Sequence, residues 1–216
     1  MEKTYNIIYE AGSGEIVEKK SRFIAHIYPV NSIEEAEQIK EQIKKKYWDA
    51  RHNCTAYVIG KNNEIQRYDD DGEPSGTAGK PMLDILLSSE LRNCIVVVTR
   101  YFGGVLLGTG GLIRAYQAAV KGGLQNTKVV KVHKGIQIGI QTDYTGLGKI
   151  QYITANEGAY IKETEYLENV NLSIIIEENS YGIFEKKVTE ATNGKAVFHS
   201  KQAIEFGILE NECILL

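Results

Sequence analysis

Two glycine-rich segments contain the residues of this chain that are best suited to bind an anion. The first reads DDDGEPSGTAGKP over residues 69–81, and the second reads RYFGGVLLGTGGLIRAY over residues 100–116. Apolar residues at helical spacing follow each glycine cluster, so each segment predicts the start of a helix. The first turn of a helix presents unpaired N–H groups and a partial positive charge. The two segments therefore predict an anion-binding surface, with a nucleic-acid backbone as the favoured ligand.

Glycine suits such a surface because it lets the backbone approach a ligand closely and adopt a positive φ. Neither segment is a Walker A loop or a dinucleotide-binding fingerprint. The alternative interpretation is that these glycines serve tight turns and the packing of helices on a sheet. The loop residues predicted to contact phosphate are Gly76, Thr77, Gly79, Gly103, Gly104, Gly108, Gly110 and Gly111.

Arginine and aromatic side chains accompany the loops. A guanidinium group donates two hydrogen bonds to one phosphate, and aromatic rings stack on bases. The arginines predicted to contact phosphate are Arg22, Arg51, Arg100 and Arg114. The rings available for base stacking are Tyr101, Phe102 and Tyr116, for which core packing is the alternative.

Four carboxylates, Asp69, Asp70, Asp71 and Glu73, lie in the first segment. They could hold Mg²⁺ through water, or pair with the arginines Arg51, Arg100 and Arg114 and fix the loop. We predict no resident metal and no cofactor. Nearby His52 is a candidate general base, and His52, Asp70 and Glu73 are the acid–base candidates if the protein is an enzyme. Neither an orienting third residue nor a metal-ligand spacing accompanies His52.

The elements that position these residues form an α+β pattern. Residues 5–9 and 16–30 favour strands, and Gly12 to Gly14 predicts the turn of a hairpin between them. Ser32 and Glu35 have the spacing of a capping box at a helix start. The remaining N-terminal elements are strands at 53–60, 64–69 and 93–101, a helix at 79–89, and a long helix that ends at Gly122. The apolar strand at 93–101 is expected at the centre of its sheet.

From Gly135 a second pattern begins. Ile136, Ile138 and Ile140 alternate as in a strand, and residues 129–133 form either a further strand or the crossing to this part. The predicted elements that follow are a helix at 144–157, strands at 160–166 and 171–177, a helix at 181–192 and a strand at 196–206. This βαββαβ order predicts a ferredoxin-like domain. We place the domain boundary after Lys134, giving domains 1–134 and 135–216 without a disordered linker.

Bulk composition narrows the function classes. The chain has no N-terminal signal pattern and no apolar run near the ~18 residues of a membrane span, so we expect a cytoplasmic protein without membrane association. The three cysteines form no C-x-x-C pair and are expected to be reduced. Residues 1–134 contain 19 Lys and Arg against 16 Asp and Glu, whereas residues 135–216 contain 6 against 12. Nucleic-acid affinity therefore requires a local patch.

The motifs together resemble the signature of the YigZ/Impact family. The resemblance is carried by ARHNCTAY at 50–57, DDGEPSGTAGKP at 70–81, RYFGG at 100–104 and GGLIRAY at 110–116. It covers the whole N-terminal domain, and the C-terminal part resembles the ferredoxin-like domain of bacterial members. The resemblance implies an N-terminal fold like ribosomal protein S5 domain 2, and a C-terminal fold like the last domain of elongation factor G.

The resemblance also implies a connection with translation. Eukaryotic Impact proteins restrain an amino-acid-starvation kinase by binding its activator, but this chain lacks their extra N-terminal domain, so that role does not carry over. For the bacterial branch the resemblance implies RNA or ribosome contact. We therefore expect a non-catalytic protein that binds RNA or the ribosome and modulates translation. The alternative is an enzyme acting on a nucleotide-like or phosphorylated small molecule. A third alternative is a protein-docking role, in which the acidic C-terminal domain binds a partner protein with basic charge.

Overall fold

The computed structural model describes residues 4–216, which form a mixed α+β structure. The chain divides into two compact units, one ending at Lys131 and the other beginning at Val132. The predicted boundary after Lys134 is close to this division and stays a prediction. Strand β8 (Lys128–Thr142) contains the point of division. No helix within residues 4–216 combines the length and apolar character needed to cross a membrane.

Within residues 4–131 the N-terminal unit contains three helices. Its elements before β8 are β1 (Tyr5–Glu10), β2 (Gly12–Glu18), β3 (Ser21–Pro29), α1 (Ile33–Lys46), β4 (His52–Ile59), β5 (Ile65–Asp69), α2 (Gly79–Ser88), β6 (Leu91–Arg92), β7 (Cys94–Tyr101) and α3 (Gly108–Leu124). Five strands form an antiparallel sheet in the order β2-β3-β7-β4-β5, and β1 pairs in parallel with β6. The apolar strand β7 is therefore central, as predicted.

Strand β7 is buried on both faces because its side chains alternate between two cores. Val96 and Val98 face the core that contains α2 and α3. Ile95 and Val97 face the core that contains α1. This alternation matters for the site, because it assigns the next residues of β7 to one face or the other.

The first hairpin differs from the prediction. Its turn consists of Lys19 and Lys20, which have φ of 45° and 67°, and the glycines Gly12 and Gly14 lie inside β2. Those glycines lack side chains because the end of α3 and the segment after it are too close. A Cβ on Gly12 would lie 2.2 Å from the carbonyl oxygen of Asn126. Glycine here permits close packing rather than a turn.

The C-terminal unit contains two helices on a five-stranded antiparallel sheet. After β8 its elements are α4 (Tyr144–Asn156), β9 (Tyr160–Tyr166), β10 (Val170–Glu177), a short 3₁₀ helix (Glu178–Ser180), α5 (Tyr181–Ala191), β11 (Val197–Leu209) and β12 (Glu212–Leu215). The strand order is β12-β11-β8-β10-β9. The predicted βαββαβ element order is present, with β12 as an additional strand. Residues 128–142 form one continuous strand instead of the two segments that we predicted.

The core of this unit lies between the sheet and its helices. Ile138 and Ile174 on neighbouring strands pack with Ile150 of α4 and Phe184 of α5. The opposite face of the sheet carries the polar side chains of Gln137, Asn171 and Ser173 together with the buried apolar residues Ile175 and Phe206, and these residues do not belong to the core formed with α4 and α5. The alternation seen in the sequence at Ile136 to Ile140 records this division between an apolar face and a polar face.

Candidate nucleic-acid interface

The first glycine loop folds around one of its own carboxylates. The side chain of Asp70 accepts hydrogen bonds from the backbone N–H groups of Gly76 (2.8 Å), Ala78 (3.0 Å) and Gly79 (2.8 Å). These groups include the start of α2, where the helix dipole favours a negative charge. Asp70 thus occupies the position in which a phosphate was predicted. The amides of Gly76 and Gly79 are satisfied internally, and Thr77 is buried with its hydroxyl donated to the Pro74 carbonyl.

The other two aspartates of this loop pair with lysines of α1. Asp69 accepts from Lys40 and Asp71 accepts from Lys44, each at 2.9 Å. The hydrogen bond from Lys40 holds the pKa of Asp69 below its usual range. Asp71 also accepts from the backbone N–H of Asn53 at 2.7 Å. Among residues 4–216, no three His, Cys, Asp or Glu side chains are grouped so that they could hold a metal ion.

Glu73 and Arg100 form a buried ion pair beneath the surface. The Arg100 guanidinium donates to Glu73 Oε1 at 2.7 Å, and the Tyr116 hydroxyl donates to the same oxygen at 2.8 Å. Arg100 is only 6% exposed, Glu73 8% and Tyr116 0%. The thiol of Cys54 donates to the Tyr116 oxygen at 3.3 Å. Burial raises the pKa of both Cys54 and Tyr116, so each keeps its proton.

Burial places two of the predicted contact residues inside the protein. Tyr116 packs edge-on against Phe23, with ring centroids 5.1 Å apart, and presents no face to a base. The Arg100 guanidinium lies 5.3 Å from the Phe23 ring and 5.7 Å from the Phe102 ring. Neither residue belongs to the exposed surface. Arg100 instead supports Phe102 from below.

Arg22 and Tyr101 are tied to neighbouring carboxylates at the same end of the sheet. Arg22 donates two hydrogen bonds of 2.9 Å to Glu15, and this contact lowers the pKa of Glu15. The Arg22 guanidinium lies 5.6 Å from the ring of Tyr101, whose hydroxyl donates to Asp49 at 2.7 Å. Arg22 is exposed but already paired, so it is a weaker phosphate contact than the sequence indicated.

The second glycine loop is exposed. It connects β7 to α3, and the chain must pass so close to the preceding hairpin that a Cβ on Gly103 would lie 2.0 Å from the carbonyl carbon of Lys20. Gly104 and Gly108 have φ of 86° and 70°, values that favour glycine. The start of α3, including the exposed Gly110 and partly exposed Gly111, has no side-chain cap. Phe102 is 48% exposed and Leu106 84%.

Five residues at this end of the sheet form an exposed surface, here called the loop face: Lys19, Lys20, Arg51, Phe102 and Arg114. The guanidinium of Arg114 lies over the first turn of α3, with one nitrogen 3.5 Å from the Cβ position of Gly110. Arg51 comes directly before His52, the first residue of β4, and His52 pairs with Arg100 on β7. Within the described part of the chain, none of the four cations on this face forms an ion pair. All four are exposed.

His52 is oriented by a neighbouring turn. Its Nδ1 lies 2.8 Å from the carbonyl oxygen of Asp71, which can only accept, so Nδ1 carries a proton and donates it. The other acid–base candidates are committed elsewhere, because Asp70 caps α2 and Glu73 is paired with Arg100. The structure therefore does not bring His52, Asp70 and Glu73 together as free acid–base groups.

Sequence reasoning missed Lys19 and Lys20 on the loop face. The sequence predicts one strand-forming segment over residues 16–30, whereas the structure has a turn at Lys19 and Lys20 within it. A signal was present, since Glu18, Lys19 and Lys20 interrupt the apolar alternation between Val17 and Phe23. It was weak because lysine at positive φ is uncommon and glycine-rich residues 12–14 were a stronger turn signal.

Two families match separate parts of the chain. Residues 19–124 match the Impact N-terminal domain, and residues 140–195 match a domain of unknown function, DUF1949. The first range contains both glycine loops and the whole loop face. The second lies inside the C-terminal unit.

Several proteins are similar over much of this length. IMPACT family member YvyE of Bacillus subtilis (strain 168) is 47% identical over 193 residues, which cover 89% of each chain. IMPACT family member YigZ of Escherichia coli (strain K12) is 34% identical over 82% of this chain and 87% of its own. The Protein IMPACT homolog of Dictyostelium discoideum is 41% identical over 43% of this chain and 28% of its own. A crystal structure of a hypothetical protein is 30% identical, with a TM-score of 0.58 over 93% of this chain and 98% of that one.

Proposed function

Because this chain belongs to the IMPACT family, we propose that it is a non-catalytic cytoplasmic protein that binds RNA or the ribosome and modulates translation. The observation that carries the proposal is the loop face, where four exposed cations, none of them ion-paired within residues 4–216, lie at the same end of the sheet as a half-exposed aromatic ring. Lysine and arginine contact phosphates, and an exposed ring such as Phe102 stacks on an unpaired base.

The acidic residues of the first loop do not oppose this function. Asp69 and Asp71 are neutralised by Lys40 and Lys44, Asp70 by three backbone N–H groups, and Glu73 by Arg100. Each carboxylate is thus directed toward its own chain. The cations of the loop face have no such partners within residues 4–216, so their field is available to a polyanion.

The uncapped start of α3 supports the same ligand class. The exposed residues Thr109 and Gly110 lie in its first turn, and Arg114 lies over that turn. A phosphate placed there would meet backbone N–H groups together with a guanidinium. In α2, by contrast, Asp70 already occupies the first turn. The proposed site therefore includes the second glycine loop and not the first.

The fold descriptions implied by the family belong to this proposal. We infer that the N-terminal unit resembles ribosomal protein S5 domain 2 and that the C-terminal unit is ferredoxin-like. The strand order β11-β8-β10-β9 and the two helices on one face support the second description. Both descriptions are consistent with a protein that works in translation.

The proposal predicts saturable binding of the wild-type chain to purified ribosomes or structured ribosomal RNA. Binding should weaken as salt rises, because phosphate contacts release counterions. Sedimentation with ribosomes, or fluorescence anisotropy with labelled RNA, at several salt concentrations measures this. A screen for turnover of nucleotides and phosphoesters provides the contrast. Absence of RNA and ribosome binding, together with turnover that His52→Ala abolishes, would overturn the proposal in favour of an enzyme.

A further inference from the structure

Strand β9 lies at an open edge of the C-terminal sheet. Among the described residues it pairs with β10 alone. Its first residues, Tyr160 to Lys162, line a cavity of about 620 Å³ together with the turn that precedes β12. The stretch from Glu163 to Tyr166 is exposed or half-buried. In an edge strand, the backbone groups that point away from the single neighbouring strand have no partner in the sheet. An open edge of this kind accepts an added strand from another chain.

Two glutamates give this edge a strong charge preference. Glu163 pairs in register with Ser173 and Glu165 with Asn171, so both carboxylates project from the polar face of the sheet, two residues apart. Both side chains are exposed, and neither forms an ion pair within residues 4–216. Glu165 accepts a hydrogen bond from Asn171, at 3.2 Å. An added strand with lysine or arginine at alternate positions would place its cations beside both carboxylates.

The polar face beside β9 forms a groove that can receive long polar side chains. A cavity of about 590 Å³ is lined by Glu163 and Glu165 and, on the neighbouring strands, by Gln137, Asn171, Ser173, His199, Ser200 and Gln202. An irregularity in β11 between Phe198 and Ser200 places His199 over Gly139 of β8, inside this groove. Glycine at position 139 makes room for this imidazole, because a Cβ on Gly139 would lie 2.2 Å from the His199 ring.

Charge decides between possible occupants of the edge. A nucleic-acid backbone would meet two unpaired carboxylates and be repelled. A second copy paired antiparallel about Thr164 would set Glu163 opposite Glu165, and like charges directly opposite are destabilising. An extended basic peptide avoids both penalties and gains backbone hydrogen bonds. We propose that the β9 edge binds an extended segment of a partner protein with lysine or arginine at alternate positions.

The experiment uses the full chain and a labelled seven-residue peptide that alternates lysine with threonine, matching the length of β9. We expect binding by fluorescence anisotropy, weakened at least about tenfold by Glu163→Lys/Glu165→Lys. The matched control, Glu178→Lys/Glu190→Lys, makes the same change in net charge at exposed positions of the same unit away from β9 and should bind like the wild type. Failure of the wild type to bind, or equal loss in both variants, overturns the proposal.

Peptides with N-methyl groups separate strand addition from simple charge attraction. Two versions carry the methyl groups on the two alternate sets of amides, and only one set can face β9. Strand addition predicts that one version loses binding while the other retains it. Equal binding of both versions would show attraction by charge alone and overturn the added-strand geometry. Because the RNA proposal concerns the loop face, RNA binding should be unchanged in Glu163→Lys/Glu165→Lys.

Discussion

Replacing Glu73 with alanine is expected to lower the free energy of unfolding by about 3–5 kcal/mol. The substitution leaves the Arg100 guanidinium buried without its counter-ion, since its remaining side-chain hydrogen bond, to Ser21, is long at 3.4 Å. It also removes the acceptor of the buried Tyr116 hydroxyl. Arg100→Ala should have a similar effect, because it strands the Glu73 carboxylate. Chemical denaturation of the full chain, followed by circular dichroism, measures both.

Two control variants test whether the loss of stability comes from leaving a buried charge without its partner. Glu15→Ala breaks the exposed ion pair with Arg22, which solvent screens, so it should lower the free energy of unfolding far less than Glu73→Ala does. Replacing both buried partners, as in Glu73→Leu/Arg100→Met, should restore much of the stability lost in either single variant, because no uncompensated charge remains. Equal stability of Glu73→Ala and Glu15→Ala would show that the buried pair is not formed.

The buried Glu73–Arg100 ion pair makes Arg100 an unsuitable position for testing the binding site. A loss of RNA binding in Arg100→Ala would report unfolding as much as a missing contact. Arg51 and Arg114 are the informative positions, since both are exposed and neither supports the core.

The variant Arg51→Glu/Arg114→Glu is expected to weaken ribosome or RNA binding by about 100-fold, roughly tenfold for each reversed charge. Reversal removes a guanidinium contact and adds a carboxylate that repels phosphate. The plot of log affinity against log salt should become shallower by roughly 2, because two phosphate contacts are lost. Anisotropy titrations across a salt series provide both quantities.

The matched control is Arg67→Glu/Lys121→Glu, which changes the net charge equally at exposed positions of the same unit outside the loop face. A general dependence on net charge would make both variants lose affinity equally. The site assignment predicts a loss confined to the first variant. Unchanged affinity and salt slope in a folded Arg51→Glu/Arg114→Glu protein would remove these arginines from the site.

Much of the fold could be predicted because local signals agreed with tertiary packing. The capping-box spacing at Ser32 marks the start of α1, where the Ser32 hydroxyl accepts from the Glu35 N–H at 3.1 Å. The apolar run in β7 predicted its central position, and β9 has the predicted bounds. Such elements depend on periodicity, which a single sequence displays directly.

The site was harder to predict because it depends on which direction each side chain takes. Arg100 and Arg114 border the same loop, but Arg100 continues the inward series of Val96 and Val98, whereas Arg114 lies on the exposed side of α3. The alternation along β7 contained this information. The role of Asp70 was not accessible, because an anion supplied by the chain itself satisfies the loop as an external phosphate would.

The most direct test of the central claim is photo-crosslinking from the loop face. A benzophenone amino acid is incorporated in place of Phe102, and in a control protein in place of Tyr152, which is 71% exposed on the C-terminal unit. Both proteins are irradiated with ribosomes or structured RNA under saturating conditions. The proposed function predicts an RNA crosslink from position 102 and none from position 152. A crosslink to RNA from position 152 alone, or no RNA crosslink from position 102 in the bound complex, would contradict it.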